Sequence, residues 1–137
     1  MQGTVIALFI APEKKAEPIS VQSVQTVSGG FDGDYHAHKA NGRQILMMSA
    51  GILKQFELQP GALLENLVLE GIDVMSLREG QQLRVGQALL EVTVACEPCG
   101  RMDRVRPGLK KALNDRRGMF AKVVQSGEIR VGDPVEY

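Results

Sequence analysis

Cys96 and Cys99 are the chain's only cysteines, separated by Glu97-Pro98 in the run ACEPCGRMDRVRPG and followed at once by arginines. Four chemistries fit such a pair. A zinc site would need two more ligands, which His36 and His38 of HAH could supply, although this spacing is unlike that of a zinc finger. A redox pair would want a helix starting at its first cysteine, and Pro98 with the loop-like GRMDRVRPG speaks against one. An inert core reading suits Cys96, at the end of an apolar strand, better than Cys99, which lies beyond a proline and beside Gly100-Arg101. In the fourth reading a thiol lies beside an oxyanion site. Arg101, Arg104, Arg106, Lys110, Lys111, Arg116 and Arg117 face only Asp103 and Asp115 within seventeen residues, and that charge favours thiolate and attracts phosphate. A solvated helical face explains Lys110, Lys111 and Arg116 equally well.

The second cluster is FDGDYHAHKANGR. Asp32 and Asp34 flank Gly33, which permits a tight turn, and His36 and His38 follow as ligands, acid–base groups or plain loop histidines. Arg43 stands beside the apolar QILMM, as a phosphate clamp or as a partner of Asp32 or Asp34. In PGALLENLVLEG, Glu65 and Asn66 interrupt an apolar run. On a strand they face opposite sides, so at least one is exposed or buried with partners. The Asn66 amide could read a polar ring edge or simply hold a turn.

Short strands punctuated by glycine and proline must position these residues. GTVIALFI reads as a buried strand, and PISVQSVQTV as a half-buried one whose alternation slips at Ser23, as at a bulge. After the long loop, QILMMS reads as a strand and Ser49 as the cap of a helix through AGILKQFEL, ended by Pro60-Gly61. LLENLVLEG, QQLRVG, ALLEVTVAC, GMFAKVVQSG and EIRVGDPVEY follow as strands, with one helix in PGLKKALNDRR. The expectation is a mainly β barrel with a few short helices.

The 137 residues fit one domain, and Lys and Arg balance Asp and Glu at 16 each. No charged tail marks the chain as a general nucleic-acid or membrane binder, and the basic segment has no aromatic residue to stack a base, so neither partner is expected. The start of the chain lacks the pattern of a signal peptide or anchor, and a cytoplasmic location is expected.

Taken in order, GGFDGDYHAHKANGRQILMMS, PGALLENLVLEGID, LREGQQLRVGQALLEVT, CEPCGRMD and RRGMFAKVVQSGEIRVGDPVE resemble the MOSC domain family, the module named for the C-terminal part of molybdenum cofactor sulfurases. The resemblance covers nearly the whole chain and is that of a small stand-alone bacterial member. It implies a barrel-like fold and a site for molybdenum cofactor (molybdopterin), whose pterin would suit Asn66. Cys99 matches the position of the family's molybdenum-ligating cysteine, and Arg43 with the Gly33-Asp34 loop would hold the cofactor or its phosphate, with His36, His38 and Arg101 nearby. The resemblance leaves open whether such a protein carries sulfur or reduces N-hydroxylated compounds. The segments show no cysteine desulfurase, flavin or iron–sulfur unit, so a desulfurase or redox partner protein is expected. A persulfide carrier without enzymatic activity and a zinc-stabilised interaction module are the alternatives, and short exposed edge strands leave oligomerisation open.

Overall fold

The computed structural model describes residues 2–14, 16–37 and 42–137, so His38 lies outside the described residues. The strands in chain order are β1 (Gln2–Ile10), β2 (Ile19–Val21), β3 (Ser23–Val27), β4 (Gly30–Phe31), β5 (Ile45–Ser49), β6 (Leu67–Glu70), β7 (Gln82–Val85), β8 (Ala88–Ala95), β9 (Met119–Gln125), β10 (Glu128–Arg130) and β11 (Pro134–Glu136). The helices are α1 (Ala50–Gln55), α2 (Arg101–Val105) and α3 (Leu109–Ala112), with a 3-10 turn at Val74–Ser76.

Seven strands close a barrel in the order β11-β7-β8-β9-β5-β6-β1, with β1 paired back to β11 and β2 added on the outside of β1. All neighbours are antiparallel except β5 and β6. A small sheet, β10-β3-β4, covers one end. This is the mainly β barrel the sequence predicts. The slip at Ser23 is more than a bulge: Gln22 is the point where the chain leaves β2, bonded to β1, and enters β3, bonded to β10. Alternation fails there because the two halves belong to different sheets.

Two apolar clusters explain the strand patterns. Val5, Leu8, Ile45, Met47, Leu67, Leu69, Leu83, Leu90 and Val92 fill the barrel. Phe9, Met48, Val68, Leu53, Leu63, Met102, Leu109 and Leu113 pack the helices onto its outer wall. β5 and β6 are covered on both faces and read as continuous apolar runs, whereas QLRV of β7 keeps the alternation of a strand with one wet face. Leu113 is fully buried between α3 and this wall. Leu113→Ala is expected to cost about 2–5 kcal/mol in urea denaturation, since the removed methyls leave a cavity.

Ser49 precedes α1 but makes no side-chain cap bond. Its hydroxyl instead donates to the Ile72 carbonyl (3.1 Å) and accepts from the Val74 N–H (2.8 Å), tying the end of β5 to the 3-10 turn.

Candidate functional site

The site gathers where β8 leaves the barrel. Ala95 still pairs with Met119 of β9, and the Cys96 N–H donates to the Gly118 carbonyl at 2.9 Å. Cys96 is therefore held on the last rung, while Cys99 stands free of the sheet and exposed. The Cys99 carbonyl accepts from the Met102 N–H (2.9 Å), and α2 begins two residues after Cys99, where the sequence suggested only loop. The five residues of α2 are too few to show a helical period; Met102 buried in the outer cluster holds them.

Gly118 permits this join. Its φ is +119°, and a Cβ there would sit 2.5 Å from the Met47 carbonyl oxygen. Gly118→Ala is expected to cost about 1–3 kcal/mol in thermal or chemical denaturation, because neither the backbone conformation nor the backbone contact can yield cheaply.

The loop 32–37 docks onto the end of β1. The Ala11 N–H donates to Asp34 Oδ1 (2.8 Å), and the Tyr35 N–H donates to the Ala11 carbonyl (2.8 Å). Asp34 Oδ2 also accepts from the His36 N–H (3.1 Å) and meets His36 Nδ1 at 2.9 Å. A carboxylate only accepts, so this contact places the proton on Nδ1 and leaves Nε2 as the ring's second site. Gly33, at φ +88°, makes the turn into Asp34 and is itself exposed. The Asp34 carboxylate is thus occupied by the backbone and His36, and Arg43 lies exposed within electrostatic reach of Cys96.

Arg101 and Arg117 lie within electrostatic reach of Tyr35. Burial and the Asp34 carboxylate push the Tyr35 phenol up, so it remains protonated at neutral pH. Burial also pushes the Cys96 thiol up, against the charges of Arg117 and Arg43. Of these groups Cys96 lines an open cleft of about 660 Å³, together with Glu97, Asp103 and Asp115 and with Lys110 and Lys111.

The basic run does not act as one patch. Arg106 reaches back across the outer wall to the Phe56 carbonyl (2.6 Å) at the end of α1. Lys110, Lys111 and Arg116 are exposed, as a solvated face would be. Arg117 turns inward, 4% exposed, with Nη2 donating to the Leu63 carbonyl. Sequence reasoning grouped Arg117 with its charged neighbours; the only local cue was its position directly before Gly118 and the apolar start of β9.

Glu65 and Asn66 are both buried, at 1% and 3% exposure. They lie just before β6, in a turn, so the strand rule of opposite faces does not apply. Asn66 Oδ1 accepts from the Leu46 N–H (2.9 Å), and Nδ2 donates to the Phe9 carbonyl (3.2 Å), so the amide joins β5 to β1. Glu65 Oε1 accepts from the Leu63 N–H (3.1 Å), and Oε2 has no partner among the described residues.

Burial pushes the Glu65 carboxyl up, with backbone N–H groups and the Arg117 charge opposing. The folded chain then keeps this proton to higher pH than the unfolded chain. The stability linked to it is complete below the unfolded carboxylate range and is lost as pH rises through the folded value. Glu65→Gln, neutral at every pH, is expected to gain on the wild type as pH rises from about 4 towards neutrality. Urea denaturation at a series of pH values checks this, and parallel profiles would refute it.

Among the described residues, no three His, Cys, Asp or Glu side chains come together as a metal-ligating group, and no helix is long and apolar enough to cross a membrane.

A model of the MOSC domain matches residues 34–136. In structure, the chain is similar to the YuaD protein from Bacillus subtilis, with a TM-score of 0.83 and 22% identity over 98% of this chain and 94% of that one. It is also similar to YiiM from Geobacillus stearothermophilus (TM-score 0.80, 20% identity, 97% of this chain and 73% of that one). YiiM from Escherichia coli gives 0.72, 17%, 97% and 68%. Among curated proteins none matches in sequence. At these identities the structural likeness concerns the fold.

Proposed function

Because this chain belongs to the MOSC domain family, we propose that it binds molybdenum cofactor where β8 leaves the barrel and serves molybdenum-dependent reduction of N-hydroxylated compounds or transfer of sulfur. One observation carries the reading: the exposed Cys99 thiol follows the end of β8, where Arg43 and Arg117 lie within electrostatic reach of the neighbouring Cys96 and Cys96 itself lines a cleft large enough for a cofactor-sized ligand.

These residues fit the group. Cys99 offers a soft thiolate to a transition metal, and Arg43 and Arg101 offer guanidinium groups to a phosphate. When bound, the cofactor supplies the two-electron or sulfur chemistry at its metal. The chain's part is to orient and to handle protons: Asp34 fixes His36 with Nε2 available to hold or release one, and the protonated Tyr35 offers a hydroxyl donor. Gly33 shapes the turn carrying Asp34. Asn66 ties β5 to β1 through its two bonds to the backbone, near the loop that carries Asp34 and His36. Electrons or sulfur would arrive from a redox partner or a cysteine desulfurase in the cytoplasm.

The exposure of Cys99 also favours a second reading, a carrier that holds sulfur as a Cys99 persulfide, because a partner protein can reach this thiol directly. Elemental analysis of protein made in cells with intact cofactor synthesis separates the two. Molybdenum approaching one per chain supports the cofactor reading. Metal-free protein bearing cyanide-labile sulfur after incubation with a cysteine desulfurase supports the carrier, and stoichiometric zinc would displace both.

A further inference from the structure

Asp34 and Glu65 are two buried carboxyl groups that line one small cavity, and their surroundings treat them differently. Asp34 takes three donors: the Ala11 N–H, the His36 N–H and the proton on His36 Nδ1. Glu65 takes only the Leu63 N–H, on Oε1, and Oε2 has no partner among the described residues. Leu64, directly before it, is held at φ +63°, a left-handed conformation that strains a branched side chain. Backbone strain beside an unmet buried carboxyl marks a position held for use rather than for stability.

The cavity is lined by the turn residues 64–66, the loop residues 34–36 and the exposed Lys14. Its free volume of about 10 Å³ has room for about one water, enough to join a carboxyl to a ring nitrogen that it does not touch. A proton has two places to sit here. On Glu65 it leaves both the carboxyl and the imidazole neutral, a state that burial favours. If it moves, the O–H bond of Glu65 breaks and an N–H bond forms at His36 Nε2, with no electron transferred and nothing else consumed. The new carboxylate then meets the charge of Arg117, and the new imidazolium meets Asp34, 2.9 Å from Nδ1. Tyr35 keeps its proton at neutral pH and stays out of the exchange.

We propose that Glu65 is an internal proton reserve for His36, exchanging one proton with Nε2 through a water in the cavity they share. This rests on the reading of His36 as the group that handles protons at the candidate site, and it adds where the proton comes from. His36 that has given a proton to a ligand is recharged from inside the fold. Glu65 is a positioning residue in this scheme, since it acts only through His36.

The test needs no bound ligand. Infrared difference spectra over a pH series follow the carboxylic-acid C=O band that Glu65→Gln removes, and NMR of the His36 ring, assigned through His36→Gln, follows its protonation. In wild type the band is expected to persist near neutral pH. In His36→Gln, which has no ring to take the proton, Glu65 should hold it about fivefold more tightly, and in Glu65→Gln the His36 ring should bind its proton about fivefold more weakly, because coupling between two sites is reciprocal. Should one variant fail to fold, the other carries the test alone. Absence of a Glu65 band at neutral pH, or titration of either group unchanged by loss of the other, would overturn the proposal. Molybdenum content does not enter these measurements: independent titrations refute the proton reserve and leave the cofactor reading standing, whereas coupled titrations in a protein that never takes up molybdenum do the reverse.

Discussion

Cys99→Ser is expected, on the proposed cofactor reading, to strip molybdenum from the protein, while Cys96→Ser retains most of it. Serine replaces a soft thiolate by a hydroxyl that is a poor donor to a transition metal near neutral pH. Loss of an outer-shell partner alone commonly weakens metal sites by about 10–100-fold, so loss of the ligand should reduce occupancy by at least that order. Cys96 differs in kind: it is partly buried, held to the Gly118 carbonyl, and raised by burial. Metal analysis of both variants, with circular dichroism to confirm folding, decides the matter. Equal retention would remove Cys99 from its role. Loss only in Cys96→Ser would transfer the role to the inner thiol, which lines the cleft.

The second large effect is on stability. Asn66→Leu keeps the bulk of the side chain but leaves the Leu46 N–H and the Phe9 carbonyl without their side-chain partner inside the protein. Each buried group deprived of its bond costs about 1–3 kcal/mol, so the pair should cost about 2–6 kcal/mol in urea denaturation. Stability near that of the wild type would show that the amide is not what joins β5 to β1.

Strand existence was legible because burial writes itself into the pattern. ILMMS of β5 is apolar at four of five positions because both of its faces are covered, and QLRV of β7 alternates because one is not. The barrel followed from the number and spacing of such runs. The partner of each strand was not legible, since pairing joins distant segments such as β9 with β5, and nothing local specifies it. The site shows the same division. Cys99 and Arg43 stood out as candidates because a thiol beside arginines, and an arginine beside an apolar run, are unusual locally. Arg117 was lost among seven basic residues because its side chain meets the Leu63 carbonyl, contributed by the long chain segment between β5 and β6, and nothing local specifies that partner. Asn66 looked equally suited to a ligand and to the backbone, and only the positions of Leu46 and Phe9 engage its amide.

The pairing of Gln2 with Glu136 sets a timetable for synthesis. Because β1 bonds to β11, residues 134–136 must emerge before the barrel can close, long after β5, β6 and the Cys96–Cys99 turn are available. Until then β1 and β7 each lack a neighbour that β11 supplies, and such unpaired edges invite association with other chains. A ligand that depends on the closed barrel therefore arrives after β11 has been made, and truncation before Pro134 should disturb assembly of the barrel even though it removes no residue of the candidate site.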